Sequence, residues 1–211
     1  MKRLFTLIAF SAAVTANAAP STSPTVADQL RPYQQVPTVA GDELRVRAFF
    51  SPSCSFSKQY LPFFVNLSNT LPQDKQFIFT PVVNKADGLT YAMAFAAVQR
   101  FYPRYVNNFV EASLRGVQDL GLSTRNWFGI ERISKAAGIP VPMGRLIEDN
   151  FAVLQQDVER LMVVQAKLKI TNTPSVAVAG TYIVTPEFTS GDANQFSTLV
   201  NAVISMTTLH N

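Results

Sequence analysis

The sequence predicts an α/β fold in which a block of helices separates two strand-containing segments. Apolar runs typical of strands occur at residues 44–50 and 77–83, and again near the end at 175–179 and 181–185. Between them, over residues 86–168, apolar positions recur at the three- and four-residue spacing of amphipathic helices. A chain of 211 residues that is 47% hydrophobic is long enough to bury one sizeable core.

The first segment is predicted to contain strands with a helix between them. Residues 33–39 form a short edge strand, with Pro37 at its end or edge because proline has no N–H for a strand ladder. Residues 44–50 (LRVRAFF) change from alternating to fully apolar, which indicates a strand that enters the core. The helix that follows has Ser53 as its predicted N-cap and a kink at Pro62.

The middle block is predicted to contain four helices, and an amphipathic helix ends the chain. Ser123 is the predicted N-cap of the third helix, which ends at Gly138. The fourth is a long helix whose apolar stripe runs from Ile147 to Leu168. Gly180 is the predicted turn of the last hairpin. The other helices are expected at residues 91–102, 105–117 and 196–204.

Residues 1–18 have the three parts of a secretory signal peptide. Lys2 and Arg3 form the basic end, residues 4–14 are almost entirely apolar, and residues 16–18 are an A-x-A cleavage site. Cleavage would remove two of the excess positive charges in a net charge of +4. The sequence has no basic block of the kind that nucleic-acid binding needs, so we expect an exported protein that binds no nucleic acid.

The chain contains one cysteine, Cys54, and one histidine, His210. This inventory excludes an intrachain disulfide and is too small for a zinc site of cysteines and histidines. His210 is the penultimate residue, which makes it a poor candidate for a catalytic base. In an oxidising compartment a single cysteine indicates a reactive thiol or an intermolecular disulfide, and the remaining interpretation is a small buried hydrophobe.

Cys54 lies where the predicted core strand passes into the predicted helix. The first turn of a helix has N–H groups without intrahelical partners and the positive end of the helix dipole. Both favour a thiolate over a thiol, and the thiolate is the nucleophile in disulfide exchange. Cys54 is therefore the candidate catalytic residue.

Residues 49–57 (FFSPSCSFS) resemble the active-site segment of the DsbA-type oxidoreductases, which have a thioredoxin fold with an inserted helical domain. In that family an aromatic strand end leads into a CxxC motif at the start of a helix. Pro62 is similar to the kink proline of thioredoxins, and residues 173–182 (TPSVAVAGTY) look like the family's cis-proline loop and hairpin. Residues 19–32, which follow the predicted signal peptide at 1–18, are rich in Ser, Thr and Pro and are predicted to be a flexible leader. For the rest of the chain the resemblance implies thioredoxin-fold parts at 33–85 and 169–211 and a helical insertion at 86–168.

The resemblance also implies roles for the matched residues. Cys54 corresponds to the exposed nucleophile and Pro174 to the cis-proline beside it. Thr173 precedes that proline, at the position where the family's backbone pairs with an extended substrate peptide. Phe56 and Ser55, which follow the cysteine, are expected to contact the client protein.

Three positions depart from the family pattern. Ser57 stands in place of the second cysteine, Phe56 in place of a histidine, and Ala48 in place of a buried acid. Stabilisation of the thiolate is then expected from backbone amides and the Ser57 hydroxyl, with Lys58 as a charge partner. A CxxS site can form a mixed disulfide, but it can neither store a disulfide nor resolve one within its own chain.

These features favour a periplasmic thiol–disulfide oxidoreductase or isomerase that uses one cysteine and forms mixed disulfides with exported client proteins. Resolution requires another thiol, from the client, from a membrane or soluble redox partner, or from a small molecule. No metal and no cofactor are expected. The alternative is a non-redox thioredoxin-fold chaperone or assembly factor for exported proteins, and a third interpretation is a dimer joined through Cys54.

Overall fold

The computed structural model describes residues 31–208. The predicted signal peptide, nearly all of the predicted leader and His210 lie outside the described residues. The described part contains a five-stranded sheet and eight α-helices, which confirms the predicted α/β class. In chain order these elements are β1 (Gln34–Gln35), β2 (Arg45–Phe50), α1 (Ser55–Gln59), α2 (Leu61–Thr70), β3 (Gln76–Pro81), α3 (Gly88–Phe101), α4 (Val106–Leu120), α5 (Trp127–Ala136), α6 (Met143–Asp149), α7 (Phe151–Lys167), β4 (Ser175–Val178), β5 (Tyr182–Val184) and α8 (Ala193–Thr208).

The sheet has the strand order β1-β5-β4-β2-β3. Strands β2 and β3 are parallel, and the other neighbouring pairs are antiparallel. Helices α1 and α2 form the crossover that a parallel pair requires, and α3 to α7 lie between β3 and β4 in the chain. The C-terminal ends of β2 and β3 therefore meet the start of β4 at one edge of the sheet, where Phe49 pairs with Ser175.

Strand β2 is buried on both faces of the sheet. Phe50 packs edge-to-face against Phe79, Tyr91 and Phe95, and so joins β2 to β3 and to the inserted helix α3. Phe49, which points to the opposite face, belongs to a second apolar cluster that includes Leu168 and other residues near β4 and β5. These two clusters hold the strand that leads into the candidate site.

The helix that follows β2 begins later than the sequence predicts. Its N-cap is Cys54, with φ −89° and ψ 116°, and not Ser53. The N–H of Cys54 donates to the Ser51 carbonyl at 3.0 Å, while the N–H of Ser53 donates to the Asp87 carboxylate, so a turn is completed before the helix starts. Helices α1 and α2 meet at Tyr60, just before the proline at which a kink was predicted.

Two other helix boundaries in the prediction were wrong because local side chains compete for the backbone. Helix α5 is capped by Asn126, whose Oδ1 accepts from the Gly129 N–H at 2.8 Å, and not by Ser123. The long helix predicted over 147–168 is divided between α6 and α7 at Asn150. The Asn150 side chain donates to the carbonyl of Leu146 at 2.8 Å, one turn back.

The strands predicted over residues 33–39, 175–179 and 181–185 are shorter in the structure, where they correspond to β1, β4 and β5. Strand β1 is limited to Gln34–Gln35, although Val36 and Val39 continue to donate to the carbonyls of Thr181 and Gly180. Gly180 lies in the predicted turn with φ +62°. A Cβ atom there would lie 2.9 Å from the Val39 carbonyl oxygen, so this position requires glycine.

Within residues 31–208 no helix is both long and apolar enough to cross a membrane.

Candidate active site

The structure brings Cys54 and the Thr173–Pro174 loop together, although Cys54 and Thr173 are 119 positions apart in the sequence. The pairing of β2 with β4 places the two segments at one edge of the sheet. Cys54 is half-buried, and its Sγ donates to the Thr173 carbonyl oxygen at 3.1 Å. Pro174 is buried, and the peptide bond between Thr173 and Pro174 is cis. The hydrogen bond from Sγ is one that only the protonated thiol makes.

Ser57 lies under the site with only 1% of its surface exposed. Its Oγ accepts from the Ser51 N–H at 3.2 Å, which ties the start of α1 to the end of β2. Among the described residues, Ser57 makes no hydrogen bond to Cys54 Sγ, and its hydroxyl hydrogen stays available for a donor role. The site therefore contains one thiol and, three residues later, a buried hydroxyl.

Phe56 extends from α1 beside the thiol, with 56% of its surface exposed. It forms one wall of a groove of about 360 Å³ whose other side includes Thr173, Pro174, Pro186 and Gly191. Ser55 is exposed next to Cys54, but it does not line this groove. The groove is connected to the candidate nucleophile through Thr173, which lines it and whose carbonyl accepts from the Cys54 thiol.

The far side of this groove is joined to the core by Tyr60. Its hydroxyl donates to the carbonyl oxygen of Gly191 at 3.0 Å, and its ring packs edge-to-face on Phe196. Burial raises the pKa of Tyr60, and the Asp192 carboxylate raises this pKa further, so the hydroxyl remains a donor through the physiological range. Tyr60 therefore ties the Gly191 side of the groove to the end of α1 and to the core.

Thr173 presents backbone groups that are suited to pairing with an extended peptide. It directly precedes β4, and within residues 31–208 its N–H has no hydrogen-bond acceptor. Its carbonyl accepts only from the Cys54 thiol. Strand addition uses backbone donors and acceptors of this kind, with side-chain pockets alongside for specificity.

A buried carboxylate that the sequence analysis did not identify supports the loop before Cys54. Asp87, at the start of α3, is 1% exposed. Its Oδ1 accepts from the Ser53 N–H at 3.1 Å, and its Oδ2 accepts from the Ser51 hydroxyl. Asn84 donates to the same carboxylate at 3.0 Å. The buried acid next to this loop therefore comes from the start of α3, whereas position 48 in β2 is an alanine.

The chain order contained a signal for this network. Because β2 and β3 are parallel, the residues that follow them reach the same edge of the sheet. Asn84 and Asp87 come shortly after β3, just as Ser51 and Ser53 come shortly after β2. Polar residues after both strands are therefore expected to meet.

The inserted helix α4 also contacts the active-site segment. Gln118 Nε2 donates to the carbonyl oxygens of Pro52 at 2.9 Å and Cys54 at 3.0 Å. Lys58, expected as a charge partner for the thiolate, forms an ion pair with Asp119 instead. The insertion therefore holds the loop through Gln118, and the charge of Lys58 is balanced by its own partner.

Replacing Gln118 with alanine is expected to lower the free energy of unfolding by about 1–2 kcal/mol, because two carbonyls lose their donor. It is also expected to change the alkylation rate of Cys54, since the loop carrying the thiol loses a support. Urea unfolding and iodoacetamide kinetics measure the two effects. Gln118→Glu, which keeps the size but places a carboxylate against the two carbonyl oxygens, should be destabilised at least as much as the alanine variant. Gln155→Ala on exposed α7 should change neither property. Equal behaviour of the Gln118 and Gln155 variants would contradict the role of Gln118.

The described residues offer no metal-binding group of three or more histidine, cysteine, aspartate or glutamate side chains. The described side chains at this edge of the sheet provide a single thiol, which lies beside the backbone of Thr173. One thiol supports formation of a mixed disulfide but not storage of a disulfide.

Comparison with known proteins shows similarity in structure. No protein-family model and no curated protein sequence matches this chain. DsbA from Xylella fastidiosa matches with a TM-score of 0.70 and 17% identity, over 87% of this chain and 97% of that one. DsbA from Pseudomonas aeruginosa matches with a TM-score of 0.70 and 16% identity, over 83% and 91%.

A third match is Proteus mirabilis DsbA, a cysteine-to-serine variant in complex with the non-covalently bound peptide PWATCDS. Its TM-score is 0.71 at 16% identity, over 85% of this chain and 97% of that one. At such identities the similarity shows the fold. Together with the sheet order and the helices inserted between β3 and β4, these matches show that this chain has the DsbA fold, a thioredoxin fold with an inserted helical domain.

Proposed function

We propose that this chain is an exported monothiol disulfide-exchange protein of the periplasm, in which Cys54 attacks disulfides of client proteins. The contact of Cys54 Sγ with the Thr173 carbonyl at 3.1 Å carries the proposal. A client strand paired with the Thr173 backbone passes directly over the thiol. A protein of the same fold from Proteus mirabilis binds a cysteine-containing peptide, which supports this use of the fold.

The proposed reaction is two successive thiol–disulfide exchanges. Cys54 loses its proton to solvent, and its thiolate attacks one sulfur of a client disulfide. An S–S bond forms between Cys54 and that sulfur, while the second client sulfur leaves as a thiolate and takes up a proton. Attack on the mixed disulfide by another client thiol returns Cys54 and gives an isomerised client, with no net oxidation or reduction. Net reduction of the client takes a third exchange. An external thiol attacks the Cys54 sulfur and releases the client with both cysteines reduced, and a second external thiol then attacks the first, which frees Cys54 and leaves the two external thiols joined in a disulfide.

The neighbouring residues have proposed roles in this cycle. Ser57 donates its free hydroxyl hydrogen to the Cys54 thiolate while its oxygen stays bound to the Ser51 N–H. Phe56 and Pro174 contact apolar client side chains along the groove, and Ser55 contacts the client from the exposed end of α1. Because Ser57 replaces a thiol, the partner that resolves the mixed disulfide is a client, a redox protein or a small-molecule thiol.

Trapping the mixed disulfides tests the proposal. The full chain is expressed in bacteria, the periplasmic fraction is quenched with acid, and free thiols are alkylated before non-reducing electrophoresis and mass spectrometry. We expect protein that begins at Ala19, with part of it joined through Cys54 to exported proteins that contain cysteines. Cys54→Ala is expected to form no such adducts. A product of twice the chain's mass would identify a dimer joined through Cys54.

The proposal is overturned if the exported protein carries no adducts and Cys54 reacts with iodoacetamide no faster than an unstructured cysteine peptide at neutral pH.

The groove also favours a second candidate, a chaperone that binds exported proteins without redox chemistry, because apolar contacts there do not need the thiol. Suppression of client aggregation separates the two. Cys54→Ala retains this protection if the protein is a chaperone and loses it together with exchange activity if it is not.

A further inference from the structure

A second cavity, of about 400 Å³, lies away from Cys54 where the sheet meets the inserted helices. It is lined by residues of β2, β3, α3 and α7. Four of its lining residues are arginines: Arg45, Arg47, Arg100 and Arg160. The apolar part of its lining comes from Ile78, Ala96, Leu161 and Val164. The proposed exchange reaction makes no use of this cavity.

On the sheet side, one aspartate binds two of the arginines. Asp42 is 2% exposed and accepts from both Nε and Nη2 of Arg47, the latter at 2.7 Å. It also accepts from Nη1 of Arg45 at 2.8 Å. Burial opposes ionisation of this carboxyl, but the hydrogen bonds from the two guanidinium groups outweigh it and hold the pKa of Asp42 below its usual value. This set therefore consists of two cations and one anion.

On the helix side, a second aspartate, Asp157, also binds two of the arginines. Arg100 donates to it through Nε at 2.6 Å and Nη2 at 2.7 Å, and Arg160 donates through Nη1 at 3.0 Å. The hydrogen bonds from Arg100 to Asp157 and the attraction between their charges raise the pKa of Arg100, so its guanidinium stays charged. The second set also consists of two cations and one anion.

The two sets leave an excess of two positive charges at one cavity. No other lining residue is charged. Among the described residues, Nε and Nη2 of Arg45, Nη1 of Arg100, and Nε and Nη2 of Arg160 have no acceptor. Solvent reaches the cavity, because the side chains of Arg45 and Arg160 are 39% and 67% exposed. The cavity thus has two positive charges in excess and several guanidinium N–H groups that have no acceptor among the described residues.

We propose that this cavity binds a phosphate monoester. A phosphate monoester carries close to two negative charges at neutral pH, which matches the excess, whereas a carboxylate carries one. Its oxygens fit the forked donors of guanidinium groups. The volume is within the range of small-molecule sites, and the apolar wall leaves room for the organic part of the ester. The ester is either a free metabolite or the headgroup of a lipid.

Titration of the purified full chain with glycerol 3-phosphate tests the site by calorimetry. We expect saturable binding that weakens as salt is added, since the attraction is between charges. Arg45→Gln and Arg160→Gln are each expected to weaken it about tenfold, because each removes a charged donor. Arg145→Gln, which removes an exposed arginine of α6 outside the cavity, should bind as the unchanged chain does.

Phosphatidic acid vesicles carry the same headgroup and distinguish its source. Binding to glycerol 3-phosphate alone identifies a free ester, and binding to phosphatidylcholine vesicles only when phosphatidic acid is added identifies the lipid. In both cases Arg160→Gln must reduce the binding. Because the Arg160 side chain is exposed, the substitution should leave the fold intact, and thermal unfolding of the unliganded variant checks this. Failure to bind either probe, equal binding of acetate, or an equal effect of Arg145→Gln overturns the proposal.

Discussion

A Ser57→Cys variant is expected to form an intrachain disulfide with Cys54 and to turn over mixed disulfides that persist in the unchanged chain. Cys54 is the N-cap of α1, and residue 57 lies three positions later, within the first turn, where side chains three apart are neighbours. Serine and cysteine are close in size, so the buried position can accept the sulfur. The hydrogen bond from the Ser51 N–H weakens, because sulfur is a poorer acceptor.

The size of this effect follows from the position of the second thiol. A thiol held in the same helical turn is present at an effective concentration on the order of millimolar or more. With external thiol at roughly micromolar concentration, the variant is expected to resolve mixed disulfides about a thousandfold faster. Acid-quench kinetics with a disulfide-containing peptide measure this rate. After treatment with oxidised glutathione, intact-mass analysis should find that the variant has lost two hydrogens and carries no glutathione.

Ser55→Cys is the matched control. It adds a thiol to the same exposed segment, but residues one apart on a helix do not face each other. After treatment with oxidised glutathione this control should carry glutathione on its thiols, and it should resolve mixed disulfides no faster than the unchanged chain. If Ser57→Cys does the same, residue 57 does not face Cys54 and its proposed role at the thiolate is wrong.

Asp42→Asn is expected to cost about 3–5 kcal/mol of the free energy of unfolding. The change leaves the guanidinium of Arg47, which is 8% exposed, without a compensating charge in the protein interior. It also removes the negative charge that Arg45 Nη1 faces and weakens the start of β2, at the end of the strand away from Cys54. Urea unfolding followed by circular dichroism at neutral pH measures the loss.

The cost of Asp42→Asn should depend on pH in a defined direction. The folded chain holds the pKa of Asp42 below its usual value, so the carboxylate contributes stability above the unfolded-state pKa of about 3.9. That contribution is lost as pH falls through the lower, folded-state pKa. The difference between the two chains is therefore expected to be full at neutral pH and to shrink below about pH 4.

Asp149→Asn is the control for this effect. Asp149 is 62% exposed and its pair with Arg145 spans 3.7 Å, so the expected cost is at most about 1 kcal/mol. An Asp42→Asn chain that is destabilised no more than this control, or whose deficit is constant down to acidic pH, would show that Asp42 does not hold Arg47 as described.

Much of the fold could be predicted because its signals are local. The apolar pattern of residues 44–50 indicated β2, and helical spacing over residues 86–168 indicated the insertion. Helix ends were predicted less well, since Asn126 and Asn150 bind nearby backbone groups in ways that their residue types alone do not reveal.

The sequence by itself determined that one thiol lies between a core strand and a helix, and that its chemistry lacks a second thiol. Only the tertiary structure decided its surroundings: the Thr173 carbonyl, the Asp87 carboxylate and the Gln118 amide. The four arginines of the second cavity likewise come together only in the fold. The physical reason is the same in each case. Periodicity reports which face of an element is buried, whereas contacts between distant segments depend on strand pairing and helix packing.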